Sequence, residues 1–467
     1  MKAIGASAHQ NETSRNTVTS EPIKPRRIFI DCTNTYLTGL NTGIQRVVRG
    51  LVDREASLSF YAGVPCVPVI VFQGQYWPFS EEQRALVQDK LNGSARSRRK
   101  ARGRFVKFEH AVLGLSERLH IPREIAEMPL SVIRHVLTRL LWRIQEMAPL
   151  IALREHKVRA IKPKDHDLLI IPDAFWGEYG QLSAIELFAK AGCSIVPVIH
   201  DVVPLTHPEY FPKFNVQPFT DGLERILAVS CGVLTVSRSA MSDVGRYCSE
   251  HGYKNLPLNY AYSGADFLKP SRDNARDIRH EIADRCSSRP FLMVGTVEPR
   301  KGYQTALDAY QLYQGGGGRR PLVIVGRLGW KETEIVTRMR AVASSCGSVY
   351  FYDDASDQEL GALYKGAGAL IFASHYEGFG LPLVEAMHQG LPVIASDIPV
   401  FREIGQQYPS YFRTGSAKDL CRALQEFDQI GNELCRPSCP WPSWDEAAPS
   451  YIHKAIRFYA QSRGKLK

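Results

Sequence analysis

Short apolar runs recur along this chain, and the stretches between them have helical periodicity. From residue 26 onward RRIFIDCT, VPCVPVIVF, DLLIIPDAF, CSIVPVIHDVVPL and GVLTVS each read as a buried strand, with helical patterns such as LSAIELFAKAG between them. NTYLTGLNTGIQRVVRGL, rich in Thr, Gly and Asn, leads from the first strand into an amphipathic helix. A second series begins with RPFLMVGTVEPRKG and continues with RPLVIVGRLG, SVYFYDD, GALIFASHYEGFG and LPVIAS. Strands alternating with helices predict a parallel, doubly wound α/β sheet. Two such series predict two Rossmann-like domains, with ligand held between them at the carboxyl ends of the strands.

The breaks in the pattern set the expected boundaries. Residues 1–25 are polar and expected to be disordered. A first domain spans 26–268, and its alternation lapses at about 80–165 into a basic run followed by AVLGLSERLH and LSVIRHVLTRLLWRIQEMAPL. This insertion has a Leu/Ile/Trp stripe that suits a helix packed on the domain. Arg139, Arg143 and Arg154 near the apolar face keep a membrane-surface role open. The polar SGADFLKPSRDNARD marks the boundary near residue 268, a second domain follows at 269–440, and 441–467 reads as a C-terminal helix packing back on the first domain. Asp165-His-Asp167 imitates a metal-binding Asp-x-Asp, but it precedes a strand and reads as a turn.

Length agrees with two domains, since 467 residues exceed one compact core. No apolar run is long enough to span a bilayer and the N-terminus has no apolar signal-peptide core, so a cytosolic location is expected. Ten scattered cysteines indicate neither a disulfide framework nor a zinc site. The net charge of +10 is concentrated locally, with seven basic side chains between Ala95 and Lys107. That run is either a solvated segment or an attraction for anionic lipid head groups, at about 1 kcal/mol per cation near such a surface. Nucleic acid is disfavoured, because no aromatic residues alternate with the cations as a stacking platform requires.

Three strand-end loops of the second series hold candidate chemistry. Gly295-Thr-Val-Glu-Pro-Arg300-Lys301-Gly302 places two adjacent cations after a strand, where a planar guanidinium fork and a point charge could hold a diphosphate or stand exposed to solvent. Gly326-Arg327-Leu328-Gly329 lets a ligand approach the backbone closely. The third loop, in HYEGFGLPLVEAM, puts Glu377 ahead of a helix that Pro382 can start and Gly390 can cap, with Glu385 one turn inside it. The helix start offers free N–H groups to an anion.

The string Glu377-Gly-Phe-Gly-Leu-Pro-Leu-Val-Glu385-Ala-Met, followed by Gly390-Leu-Pro-Val-Ile-Ala-Ser, resembles the Glu-x7-Glu motif of family 4 retaining glycosyltransferases, which have the GT-B fold. GTVEPRKG, DQELGALYKGAGALIFAS, HDVVPLTHPEYF and GVLTVSRSAMSDV are similar to the same family over most of residues 190–450. FIDCTNTYLTGLNTGIQRVVRGL further resembles the N-terminus of bacterial transferases that build surface polysaccharides, many of them handling mannose or rhamnose. The insertion departs from the common pattern.

The resemblance implies roles residue by residue. Arg300 and Lys301 would bind the donor diphosphate and stabilise its departure, so that no metal is needed, and Gly295 and Arg327 would border the donor. Glu385 would accept hydrogen bonds from the ribose, and Glu377 would contact the donor sugar. N–H groups near Phe379, Gly380 and Leu381 would orient sugar and phosphate. His200, with Asp201 beside it, would face the reacting side of the sugar from the first domain, and Gly43 would let a first-domain loop approach donor or acceptor. The activity implied is transfer of a hexose from a nucleotide diphosphate sugar to a growing, lipid-linked glycan. The partners implied are that donor, the glycan acceptor and an anionic membrane surface reached through 96–107. The rivals are a GT-B phosphorylase or epimerase and a noncatalytic nucleotide-sugar-binding protein.

Overall fold

A computed structural model describes residues 23–87, 147, 149–176, 180–266, 278–329, 333–430 and 441–464. The basic run, most of the insertion and nearly all of the polar N-terminal tail lie outside these residues. Seven strands build the first sheet: β1 (Arg27–Asp31), β2 (Cys66–Phe72), β3 (Gln75–Pro78), β4 (Asp167–Ile171), β5 (Ser194–Ile199), β6 (Val233–Thr235) and β7 (Leu258–Tyr260). Their order is β3-β2-β1-β4-β5-β6-β7. Every residue of β4 and β5 is buried, as a parallel sheet covered on both faces requires, and this is why those strands are nearly unbroken apolar runs.

One strand departs from the predicted pattern. β3 runs antiparallel to β2 through a two-residue turn in which Gln73 and Gly74 both take positive φ, the geometry that matches the natural twist of a hairpin. Strands read from the sequence are also shortened at their ends. CSIVPVIHDVVPL leaves the sheet at Ile199 because Asp201 Oδ1 accepts the Val203 N–H at 3.2 Å and Pro204 starts a one-turn helix, Val203–Thr206. RRIFIDCT ends at Asp31 in the same way, where Oδ1 accepts the Thr33 N–H at 2.8 Å. Beyond it the single helix read from the sequence is two, Thr33–Thr38 and Gly43–Val52, parted at Gly39, which has φ 61°.

The second sheet is wholly parallel, with β8 (Phe291–Val294), β9 (Leu322–Val325), β10 (Val349–Tyr352), β11 (Ala369–Phe372), β12 (Val393–Ser396) and β13 (Ser410–Phe412) in the order β10-β9-β8-β11-β12-β13. Strand order reverses between β1 and β4 in the first sheet and between β8 and β11 in the second. In open sheets of this kind the crevice outside the strand ends at the reversal is where ligands bind. The loops after β8 and β11 are those that carry Arg300, Lys301 and Glu377.

The C-terminal helix, Trp444–Gly464, lies against the first sheet and helix Gly43–Val52. Trp444 is fully buried, and a Cβ on Gly50 would fall 2.3 Å from its ring; one on Gly232 would fall 2.4 Å from the ring of Phe458. In a free helix Gly50→Ala would stabilise by about 1 kcal/mol through propensity. Here the added methyl meets an indole locked on all sides, so overpacking of about 1–3 kcal/mol prevails. Gly50→Ala is expected to lower the melting temperature in a thermal unfolding experiment, with the far-UV spectrum unchanged.

Candidate active site

The loop after β8 is pressed into place by glycines. A Cβ on Gly326 would lie 1.8 Å from the Gly295 carbonyl oxygen, and one on Gly302, itself at φ 69°, would lie 2.0 Å from the Ala373 carbonyl oxygen. The Pro299–Lys301 turn is thereby held against the strand end of β11, where the His375 N–H donates to the Arg300 carbonyl at 2.8 Å. Tyr303, fully buried, donates its hydroxyl to Gly295 O at 2.8 Å.

Four charges meet there. Arg300 places Nε 2.7 Å from Glu298 Oε1 and Nη1 3.0 Å from Glu377 Oε2, while Lys301 Nζ lies 2.5 Å from Glu377 Oε1. Ser374 Oγ donates to that same Oε1 at 2.8 Å, and Arg300 Nη1 also reaches the Tyr376 carbonyl at 3.2 Å. Glu298 is 1% exposed and Glu377 7% exposed, so none of these carboxylates relies on water. Burial alone would push the Glu377 carboxyl up, but the Lys301 and Arg300 charges outweigh it and hold it at about 2. For Glu298 burial prevails over the same two cations and its carboxyl is raised. Burial disfavours the Arg300 cation, yet Glu298, Glu377 and Asp201 together raise its pKa.

The first domain closes over this group at several points. A Cβ on Gly378 would stand 2.2 Å from the His200 carbonyl oxygen, and Ser237 Oγ donates to Gly378 O at 2.6 Å. His200 Nε2 lies 2.7 Å from the Pro172 carbonyl, which can only accept, so that nitrogen carries the proton. Burial lowers the pKa of His200, which keeps the ring neutral at pH 7. Glu403 accepts from the N–H groups of Arg238 (2.7 Å) and Ser239 (2.8 Å) at the start of helix Arg238–Glu250, where a carboxylate suits the macrodipole.

Helix Leu381–His388 starts at Gly380, which has φ 99° and ψ 57°, with Pro382 in its first turn. Glu385, 1% exposed, points its two oxygens at Arg46 Nη1 from the first domain and at the Tyr364 hydroxyl, the latter at 2.7 Å. A Cβ on Gly43 would lie 3.8 Å from Leu381 Cδ1, so the first-domain loop does reach this helix.

Residues 276–431 match the family described as glycosyl transferases group 1. The second domain is a group 1 glycosyltransferase domain. Over 293 residues the chain is 32% identical to the serotype-specific mannosyltransferase WbdA of Escherichia coli, covering 60% of this chain and 36% of that protein. It is 30% identical over 212 residues to the O-antigen chain mannosyltransferase B of Escherichia coli, covering 45% and 54%. The chain thus spans about a third to a half of the length of these relatives. The N-terminal domain of Candida albicans trehalose-6-phosphate phosphatase superposes with a TM-score of 0.53 at 12% identity, over 94% of this chain and 98% of that one, a likeness of fold. The fold is GT-B, two doubly wound domains facing a cleft.

Within the group 1 domain, Arg300, Lys301 and Glu377 form one cluster, with Gly295 against the Lys301 stem and His200 and Asp201 across the cleft. Glu385 stands apart from it, held by Arg46 and Tyr364. Phe379 turns its ring to Tyr262 and Trp441, with centroids 6.2 and 5.9 Å away, so only its backbone faces the helix start. Arg327 is exposed, and its carbonyl accepts the Val297 N–H at 2.8 Å. Asp165 and His166 form a turn, with His166 at φ 66°, and Asp167 opens β4, paired to Arg27 at 2.5 Å. Sequence reasoning missed Glu298, Ser374, Tyr364 and Arg46. The one available signal was that Arg46 follows Gly43 by three residues, on the same helical face.

Because Glu377 titrates at about 2, below its ordinary 4.5, the stability from its ion pairs is complete above about pH 4.5 and is lost as pH falls toward 2. Glu377→Gln should therefore lose most stability near neutral pH, up to about 3 kcal/mol by the size of that shift. The gap to the wild type is expected to narrow in denaturant titrations run from pH 7 down to pH 3.

Proposed function

We propose that this chain is a retaining, metal-independent hexosyltransferase that moves mannose, or a related hexose such as rhamnose, from a nucleotide diphosphate sugar to a growing, lipid-linked surface glycan. One observation carries the reading: two adjacent cations, Arg300 and Lys301, sit at the sheet reversal beside a helix start, paired with the carboxylates of Glu298 and Glu377, whose place a diphosphate can take. The names of the two Escherichia coli relatives favour mannose.

On this reading the diphosphate takes the Arg300 and Lys301 donors, and Glu377, partly released, accepts hydrogen bonds from the sugar hydroxyls. The bond between the anomeric carbon and the phosphate oxygen breaks with its electron pair going to that oxygen. The two cations and the N–H groups at Gly380 and Leu381 stabilise the charge where it develops, which is the largest contribution such a site can make. An acceptor hydroxyl attacks on the face the phosphate leaves, and its proton passes to the departing phosphate oxygen, so the anomeric configuration is retained. The neutral His200 imidazole is fixed by Pro172 O and acts as a polar wall on the reacting side, not as a proton donor. Glu385 takes the ribose hydroxyls in exchange for Arg46, its partner across the cleft.

Among the described residues no helix is long and apolar enough to cross a membrane. The 96–107 cations would be the surface-seeking element for a lipid-linked acceptor.

A thermal-shift screen against GDP, UDP, dTDP and ADP sugars should give one selective rise in melting temperature by mass action. Arg300→Ala and Lys301→Ala are each expected to cut transfer about 10²–10³-fold, the usual loss when one charge-stabilising donor is removed. Glu385→Ala should abolish the thermal response to the nucleotide. Transfer left intact in both cation variants would overturn the assignment, as would phosphate-dependent cleavage of an oligosaccharide or acceptor-free interconversion of the donor.

A further inference from the structure

Beside Glu377 the cleft is walled by rings from both domains, and neither the phosphate cluster nor the Glu385 pair uses them. His207 precedes and Tyr210 ends the Pro208–Tyr210 turn of the first domain, which follows β5 and His200. His375 and Tyr376 immediately precede Glu377 in the second. The ring centroids of His207 and Tyr376 are 5.6 Å apart, those of His207 and Tyr210 5.7 Å, and those of Tyr210 and His375 6.0 Å with planes only 21° apart. The side chain of His207 remains 41% exposed, and Tyr210, His375 and Tyr376 are all half-buried, so the rings form a surface and not a sealed core.

Two of the rings are held from behind by the protein itself. The Tyr376 hydroxyl donates to Asp243 of the first domain, and a Cβ on Gly415 would rest 3.6 Å from His375 Cε1, so the loop after β13 backs that imidazole. Glu209 lies 3.2 Å from His207 Nδ1. Burial, and then the facing His207 ring, lower the pKa of His375.

The placement in the sheet matters as much as the chemistry. Arg46, which meets Glu385, follows β1, whereas His207 and Asp243 follow β5 and β6, two and three strands away in the order β1-β4-β5-β6. At about 4.8 Å per strand the strand ends from which these segments leave stand roughly 10–14 Å apart. Glu377 directly follows Tyr376 in the chain and so adjoins the rings. A nucleotide sugar reaching from Glu385 to Glu377 therefore ends where the rings begin.

We propose that His207, Tyr210, His375 and Tyr376 form an acceptor subsite on which a pyranose of the incoming glycan packs its C–H face. A sugar ring has one apolar face and a rim of hydroxyls. Aromatic side chains that are apolar in body and polar at the tip suit both. Glu209, exposed at the edge, supplies acceptors for the hydroxyl rim. The proposal rests on the transferase reading, because it takes the terminal sugar to be the acceptor of the transferred hexose.

The test uses the full chain, GDP as the donor-side probe and a labelled oligomannoside as the acceptor probe. Saturation-transfer NMR in the presence of GDP should show the oligomannoside bound to the wild type and to Tyr210→Phe, which keeps the ring. In Tyr210→Ala and His207→Ala the transfer signal should fall at least fivefold, while the GDP-induced rise in melting temperature stays at the wild-type value. With GDP-mannose, acceptor KM should rise at least tenfold in Tyr210→Ala. Oligomannoside binding unchanged in both alanine variants, or absent from the wild type, would overturn the subsite. Loss of the GDP response alongside it would mark a general collapse of the cleft and also count against it. A wild type that binds GDP and oligomannoside but transfers nothing would instead sink the transferase reading and leave the subsite standing.

Discussion

Two cations and two carboxylates buried at the end of β8 and β11 set the terms for the rest of this molecule. Moving any one of these ions out of water costs several kcal/mol, and only mutual pairing with good geometry recovers it. Arg300 and Lys301 therefore need Glu298 and Glu377 within about 3 Å, and the backbone must bring two separate loops together to achieve it. Gly326 and Gly302 serve that end, since any side chain at either position would strike a carbonyl of the neighbouring loop. Each cation is thereby matched by a carboxylate of its own or of the neighbouring loop.

The same constraint explains how the two domains meet. Gly378, next to Glu377, lies against the His200 carbonyl and accepts from Ser237, so the loop that carries the charge group also carries the interdomain contact. Arg46 crosses from the first domain to Glu385, and Glu403 crosses back to the start of helix Arg238–Glu250. Polar and charged contacts of this kind resist less than an apolar interface when the domains shift. Apolar contacts join them too, where Phe379 meets Tyr262 and Trp441, and the C-terminal helix is fixed to the first domain by Trp444 and Phe458, which fill the space left by Gly50 and Gly232.

Much of the architecture was legible in the chain. The apolar runs at DLLII, SIVPVI, LVIV and ALIF are strands because a sheet covered on both faces leaves no polar positions to interrupt them. The helix start at Pro382 and the left-handed Gly390 were equally plain, being local backbone chemistry. β3 was not, since its antiparallel turn rests on Gln73 taking positive φ, which few non-glycine residues do. The ends of β1 and β5 were misread because Asp31 and Asp201 turn the chain through their own side chains, a contact that apolar periodicity does not register.

By itself the sequence determined which residues are chemically able to act: the adjacent cations, the two glutamates around a helix start, the histidine at a strand end. Those follow from residue type and local spacing. Their pairing was decided only by the tertiary structure. Glu377 and Glu385, eight residues apart, answer to different partners, one to Arg300 and Lys301 and the other to Arg46 and Tyr364. Arg46 lies 339 residues before Glu385, and the rings of His207 and Tyr210 lie well over a hundred residues from His375 and Tyr376. No local pattern encodes such meetings, because strand order and domain closure, not sequence distance, choose which charges and rings leave water together.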